Sequence, residues 1–505
     1  MSASSAAPIA PTALPAPVPE VPVPVNVARR SATLLRRNLR YCLVDGVAAM
    51  PISLLGQPGN VVLASLLCET FGLSPGHYGL IISLPFWFNF LQVLVTPRLS
   101  QQMDARRLCL ITAWLQLAGW VLLTAALPFI PRGDKPLTLG IFFAGFCIIS
   151  CAGAINGVTW NGWMQEVVPQ RLRGKYFGTR NQVLQVSVLV FLLSVSGLTA
   201  LLEGALVAYV LLFAGALGAR VLSILSMQRM ETPRASPSET GAAPQQASAA
   251  RLPWKAQLGV LARDKGFVRF VSFGVLIAFS LNLFGPFYPV FMYEELGLSV
   301  ARTNWILLFG PLGAAASLPA WGRLLDRYGN IPVMIVSLGC WQLFALLWCV
   351  VDPSRVNVIY FAVAAGGLFS AGYGIGLFAL MLKLMPAGAR TFGVALFISL
   401  SSLAAALGPP LGGHLITWAK ACGWDAFSVY RAAFLVAPIA SMSSVLILRR
   451  VREENASRVG EVVGAMRNVR TVAALFGLSF FVNQVFYRKA GRRRLGQPRL
   501  TRLFR

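Results

Sequence analysis

Charge is scarce in this sequence. Asp, Glu, Lys and Arg make up 12% of its 505 residues, about half the share usual in a soluble domain, which excludes a protein whose whole surface meets water. Acid is scarcer still, with 18 Asp and Glu against 44 Lys and Arg. Histidine is almost missing. His77 and His414 stand far apart in the sequence with no Cys or carboxylate cluster beside either, so neither a metal site nor a cofactor is expected. The eight cysteines show no CxxC spacing and lie mostly inside apolar runs, as small packing residues do, which argues against a disulfide framework. No His-Glu-x-x-His and no pair of carboxylates inside an apolar run is present, and a membrane-embedded enzyme would need a site of that kind. The chain is not expected to be an enzyme.

What remains is apolar, with 56% hydrophobic residues and a mean hydropathy of +0.65. A bilayer core about 30 Å thick takes roughly 20 residues of helix. Windows of that kind recur near 43–68, 79–99, 107–130, 138–167, 181–201, 205–228, 267–292, 303–322, 331–351, 356–384, 391–416 and 428–448. The expected fold class is therefore all-α and integral to the membrane, with twelve transmembrane helices.

The net charge of +26 raises the question of a nucleic-acid partner, and the positions of the charges answer it. They sit in loops and tails between apolar runs, where basic residues stay on the cytoplasmic side because they resist translocation. With the N-terminus inside, only Arg132, Lys135, Arg302, Arg355, Lys420 and Arg431 fall on the opposite side, and Arg220 alone falls within a helix. That bias requires an even number of spans, places both termini in the cytoplasm of an inner-membrane protein, and removes the need for nucleic acid. Residues 1–40 read as a cytoplasmic tail, rich in Pro and Ala up to about residue 28, a composition that favours extended polyproline II. Without a small-residue cleavage signal, an uncleaved first helix is expected after it. Residues 41–228 and 267–448 form two groups of six spans. The stretch 229–266 is a Ser, Pro and Gln-rich linker ending in an amphipathic segment, and 449–505 is a basic tail whose residues 471–487 suit an interfacial helix.

The two groups resemble each other at a drifting offset. Phe71-Gly-Leu-Ser74 matches Leu296-Gly-Leu-Ser299. Pro97 and Asp104 match Pro319 and Asp326, and Gly157, Pro169 and Arg173 match Gly374, Pro386 and Arg390. Ordered pairs of this kind imply two pseudo-symmetric six-helix bundles.

The loop after the eighth span, Gly322-Arg-Leu-Leu-Asp326-Arg327-Tyr-Gly329, resembles the G-x-L-x-D-R-x-G signature of the major facilitator superfamily. Its first-half counterpart, Ser100-Gln-Gln-Met-Asp104-Ala-Arg106-Arg107, keeps the acid and the bases but has Ser in the Gly place. Glu166-Val-Val-Pro169-Gln-Arg171-Leu-Arg173-Gly174 resembles the connection after the family's fourth helix. The resemblance implies alternating access, with a cytoplasmic gate built from Asp104, Glu166, Arg173, Asp326, Arg327 and Arg390. Gly408-Pro409-Pro410-Leu-Gly412-Gly413 is similar to an antiporter element of that family but stands in the eleventh span instead of the fifth. A proline kink with small packing residues accounts for it more plainly.

Polar side chains deep in spans need partners in hydrocarbon and tend to face the bundle interior. Gln57, Asn60, Asn156, Asn161, Asn282, Tyr288 and Tyr373 are thus the candidate substrate-binding residues. Asp45 is the one acid within a span away from a loop and the candidate proton site, unless it merely caps the start of its helix or pairs with Arg40. The function expected is secondary active or facilitative transport of a small solute by a monomer whose other partner is the lipid bilayer. A transporter-like receptor or assembly partner is the alternative.

Overall fold

The computed structural model describes residues 25–131, 133–231, 254–385, 390–453 and 456–467; at Arg173 and Arg390 it describes the backbone alone. The regular structure among these residues is helical throughout.

Helix α1 (Val25–Leu55) begins directly after the last proline of the Pro-rich stretch. Residues 25–40, expected as part of an unstructured tail, are therefore helical, because once the alternating prolines stop nothing prevents the turn from extending back from the span. The helix stops at Gly56-Gln57-Pro58-Gly59. Gly59 takes φ +74°, a conformation cheap only for glycine, and Asn60 restarts the chain. Its Oδ1 accepts from the backbone N–H of Val62 at 2.7 Å and of Leu63 at 3.4 Å, while its Nδ2 donates to the Leu54 carbonyl. A short α2 (Val61–Ala64) and a π-helical turn (Ser65–Thr70) follow. The continuous span expected over 43–68 is thus two pieces.

Eleven further helical segments among the described residues are long and apolar enough to cross a membrane. The first half supplies α3 (Pro75–Gln102), α4 (Ala105–Ala126), α5 (Lys135–Val167), α6 (Gln170–Leu201) and α7 (Leu206–Gln228). The amphipathic segment of the linker forms α8 (Trp254–Arg263). In the second half α9 (Lys265–Phe284) leads through a 3-10 turn at Gly285–Phe287 into α10 (Tyr288–Glu294), and α11 (Val300–Leu307) continues with a bend at Leu308 into α12 (Phe309–Tyr328). Then come α13 (Asn330–Ala345), α14 (Asn357–Leu384), α15 (Arg390–Ala421), α16 (Ala426–Leu448) and a short terminal α17 (Val459–Met466). The segment 471–487 lies outside the described residues.

The internal repeat is present in the backbone. Gly72 and Gly297 take φ +66° and +60°. The Leu73 N–H reaches back to the Leu67 carbonyl at 2.9 Å as the Leu298 N–H reaches Met292 at 3.0 Å. Ser74 and Ser299 then cap α3 and α11 by accepting from the N–H of His77 and Arg302. Gly72-Leu-Ser74-Pro-Gly76 has the letters of a nucleophile elbow, but its serine serves as this cap and a helix, not a strand, precedes it. The same corner holds a second matched pair. Ser65 Oγ donates to Glu69 and shares a hydrogen bond of 2.6 Å with the Tyr209 hydroxyl, and Tyr430 donates to Glu294 at 3.0 Å. Lys420 is added in the second half only, 2.8 Å from Glu294 and 2.6 Å from Glu295.

The halves meet most extensively where α3 crosses α15. A Cβ on Gly79 would overlap the Pro409 carbonyl, and one on Gly413 would overlap that of Pro75, so backbone lies on backbone. Gly76 N–H donates to Thr417 Oγ1 at 3.1 Å. Nearby, Tyr293 OH donates to the Val61 carbonyl at 3.1 Å, and Asn304 Nδ2 donates to the Leu192 carbonyl at 2.6 Å and Ser196 Oγ at 2.7 Å. These bonds between the halves lie away from the end that carries Asp104, Arg229 and Asp326.

At that basic end each half is fastened to itself. Glu453, five residues beyond α16, accepts from the backbone N–H groups of Asn330 and Ile331, both at 2.8 Å, from Asn330 Nδ2 at 2.6 Å and from Lys383 Nζ at 2.9 Å. Ser457 N–H donates to the Tyr328 carbonyl at 2.9 Å, and Val462 of α17 is fully buried against α12 and α13. In the first half the main chain of Glu231 is bonded to the Asn38 amide, its carbonyl accepting from Nδ2 at 2.7 Å and its N–H donating to Oδ1 at 3.2 Å, while its exposed carboxylate pairs with Arg37. Burial pushes the Glu453 carboxyl up, but the Ile331 N–H, Lys383 and Asn330 outweigh it and hold it below the usual carboxylate range. The stabilisation is therefore full above the ordinary glutamate pKa and is lost as pH falls through the lowered one. Glu453→Gln should cost about 2 kcal/mol at neutral pH and flatten the acid limb of a thermal-stability profile; an unchanged acid limb would show that the clasp contributes nothing.

Candidate functional site: a buried charge centre in the first half

Hydrocarbon tolerates an ionised side chain only when other groups replace its water. Asp45 and Arg220 are 3% and 5% exposed. Asp45 sits well inside α1, neither at a helix start nor beside Arg40, so the capping and Arg40 pairings open to it from the sequence are not made. Its Oδ2 instead accepts from Trp160 Nε1 at 3.0 Å and its Oδ1 from Ser223 Oγ at 2.7 Å. Ser223 links the two charges, since it accepts in turn from Arg220 Nη1 at 3.1 Å. Arg220 Nη2 goes on to Gln116 Oε1 at 3.1 Å and Asn156 Oδ1 at 3.4 Å. Asn156 Nδ2 is held by the Cys109 carbonyl at 2.7 Å and by Thr112 at 3.2 Å.

Helical spacing assembles this set. Asn156 and Trp160 are four apart on α5, and Arg220 and Ser223 three apart on α7, so each pair shares one face. Arg180 of α6 closes the cluster from another side. Its guanidinium lies 4.6 Å from the Trp160 ring centre, its Nε donates to the Cys42 carbonyl at 3.3 Å, and it fills the space a side chain at Gly46 would need. Side chains from α1, α4, α5, α6 and α7 thus converge on one ion-bearing centre. Arg220 Nε has no hydrogen-bond partner.

Of the candidate binding residues, Asn156 alone joins this centre. Asn60 is the cap of α2. Asn161 is exposed and bonded to the Gly157 carbonyl of its own helix, as Asn282 is to Ala278. Gln57 is exposed at the break after α1. Tyr288 is packed between Trp348 and Phe434, at 4.3 and 4.5 Å, and Tyr373 is buried against Phe273 and Trp341. Among the gate residues, Asp104 and Glu166 line one open cleft of about 510 Å³. Asp326 and Arg327 are exposed and make no ion pair among the described residues. The side chains of Arg173 and Arg390 lie outside those described.

Arg220, Gln116, Ser223 and Glu453 are not among the site residues expected from the sequence. One signal was present for the first of these, since Arg220 is the single basic residue inside a span. The others look like ordinary helix and tail residues until the helices are packed.

Residues 270–488 match the Major Facilitator Superfamily family model. The chain is 31% identical over 121 residues to the probable multidrug resistance protein EmrY of Escherichia coli, a stretch that is 24% of this chain and 23% of the relative. It is 30% identical over 185 residues to the methylenomycin A resistance protein of Bacillus subtilis, 35% of this chain and 37% of the relative. It thus spans about a quarter to a third of the length of the curated relatives it matches. Solved structures of similar fold include the nucleoside transporter NupG, with a TM-score of 0.58 at 16% identity over 81% of this chain and 98% of that one. The D-xylose–proton symporter has a TM-score of 0.61 at 15% identity over 82% and 98%, and the inward-open xylose transporter XylE of E. coli 0.56 at 13% over 86% and 99%. The family's model thus covers most of the second half of the chain, and the fold of these solved transporters extends over more than 80% of its length.

Proposed function

We propose that this protein moves a small solute across the inner membrane by alternating access between two six-helix halves, residues 41–228 and 267–448. The broken segment of α1 and α2 is the twelfth span, and both chain ends lie in the cytoplasm. The observation that carries this reading is one-sided closure. The halves are sealed at the end of Tyr293, Asn304 and Thr417, while Asp326 and Arg327 at the other end are exposed and make no ion pair among the described residues. In the proposed orientation this is an inward-facing conformation, and the gate residues would engage when the cytoplasmic end closes.

Asp45 is the proton site in this scheme. Its protonation would weaken bonds that tie α1 to α5 and α7, and a ligand or proton that binds two states unequally shifts the balance between them. Two relatives are named for drug or antibiotic resistance, so such compounds head the solutes to be tried.

A stability screen against drugs and metabolites identifies ligands, since a compound bound by the folded state alone raises its apparent stability. Each hit is then offered to proteoliposomes with and without a pH gradient. The expected result is protein-dependent uptake, with gradient-driven accumulation lost in Asp45→Asn while exchange continues. Stabilising hits that are never taken up would replace transport with a receptor role; accumulation undiminished in Asp45→Asn would remove the proton from that residue.

A further inference from the structure

Beside the charge centre, and lined by first-half residues only, lies a cavity of about 210 Å³ between α1, α3, α4 and α5. Ile52, Phe146 and Ile149 form its apolar wall, and Asn89, Gln116, Trp120 and Ser150 its polar one. Two of these polar residues are buried with nothing to bond. Trp120 is 1% exposed and its Nε1 has no hydrogen-bond partner; Ser150 is 6% exposed and its Oγ has none. Buried polar atoms in folded proteins are nearly always satisfied, and an exception calls for a missing partner.

The missing partner has a definable chemistry. An indole nitrogen only donates. Gln116 has its oxygen engaged by Arg220 Nη2, which leaves its NH2 group to offer. No Asp, Glu or Lys lines the cavity. Asp45, the acid of the adjoining charge centre, already accepts from Ser223 and Trp160, and Arg220 stands between it and Gln116. The positive charge of Arg220 is therefore passed toward the cavity by an amide whose oxygen it polarises. The volume is below the roughly 300–1,000 Å³ of sites for drug-sized ligands, so the occupant is small.

We infer that this cavity binds a small carboxylate, held by Trp120 Nε1–H, the Ser150 hydroxyl and the Gln116 amide, with Arg220 behind them. The inference concerns equilibrium binding inside the first half and stands whether or not the halves alternate.

The test uses the full-length protein in nanodiscs with nitrogen-15 in its indoles, the Trp120 resonance being identified by its loss in Trp120→Phe. Acetate is titrated at constant ionic strength, with acetamide and ethylammonium as controls. The expected result is a saturable downfield movement of the Trp120 indole proton with acetate, absent at the exposed Trp424, and an apparent Kd raised about tenfold or more in Ser150→Ala, as loss of a bond to a charged group predicts. Acetamide that moves the resonance as far as acetate would overturn the anionic character, and no movement with acetate would overturn the site. If Trp120→Phe does not fold, the acetate-induced rise in thermal stability of the wild type, missing in Ser150→Ala, decides the same question; equal rises in both would refute it.

Discussion

Arg220→Ala is expected to be among the most damaging single substitutions in the first half, lowering stability by about 3–5 kcal/mol, because it leaves a buried carboxylate without its compensating charge. Asp45, Gln116, Asn156 and Ser223 would all lose a partner or the charge that organises them. The double variant Asp45→Asn with Arg220→Met removes both charges at nearly constant volume and should recover a large part of the loss. Thermal unfolding of the wild type, Asp45→Asn, Arg220→Met and the double variant gives the coupling directly. Strictly additive effects would mean that Ser223 does not link the two charges into one unit, and that each is stabilised separately.

Gly79→Val should act on conformation more than on stability. The valine side chain cannot coexist with the Pro409 carbonyl, so the seam between α3 and α15 must part by about 1–2 Å, the range over which side-chain size sets helix separation. Spin labels at Gly133 and Trp424 should then report a longer mean distance than in the wild type, and labels at Gln102 and Arg323 a shorter one. Gly412→Val is the informative contrast. Its side chain would collide with the Leu283 carbonyl, inside the second half, where no alternate arrangement relieves it, so that variant should lose stability without a matching redistribution of distances. Unaltered distances in Gly79→Val would show that the seam does not govern the closed end.

The membrane-crossing helices were legible because the apolar runs are long and the charges between them few. The Gly-Leu-Ser corners could be matched because a left-handed glycine followed by a serine cap is a local device that keeps its letters. The break at 56–60 was not read, since glycine and proline are tolerated within membrane helices and only Asn60, bonded to both flanking segments, marks this as an interruption. Asn60 looks like a pocket residue because its neighbours in sequence are apolar, although its partners are backbone atoms a few residues away. The centre around Asp45 was half visible. An isolated acid and an isolated base within spans each stand out, but nothing in a linear reading puts positions 45, 116, 156 and 220 together. Glu453 was hidden for the opposite reason: in a tail crowded with charges, one acid that caps a helix two hundred residues' worth of topology away from its first-half counterpart looks like any other.

The crossing of α3 over α15 has a thermodynamic consequence. Gly79 and Gly413 bring main chain against main chain, and Gly76 packs against the His414 ring. Freezing a long side chain removes rotamer entropy, whereas glycine and proline have almost none to lose. Between helices in lipid, moreover, association gains little from expelling water. Closing this seam therefore sacrifices little disorder, and opening it surrenders close dispersion contacts and the single described bond from Gly76 to Thr417. Contacts of that kind add up in small increments and can be exchanged for lipid contacts in the same way. Parting the seam itself therefore costs little, and the bonds that Tyr293 and Asn304 make to the first half carry the rest of the closed end.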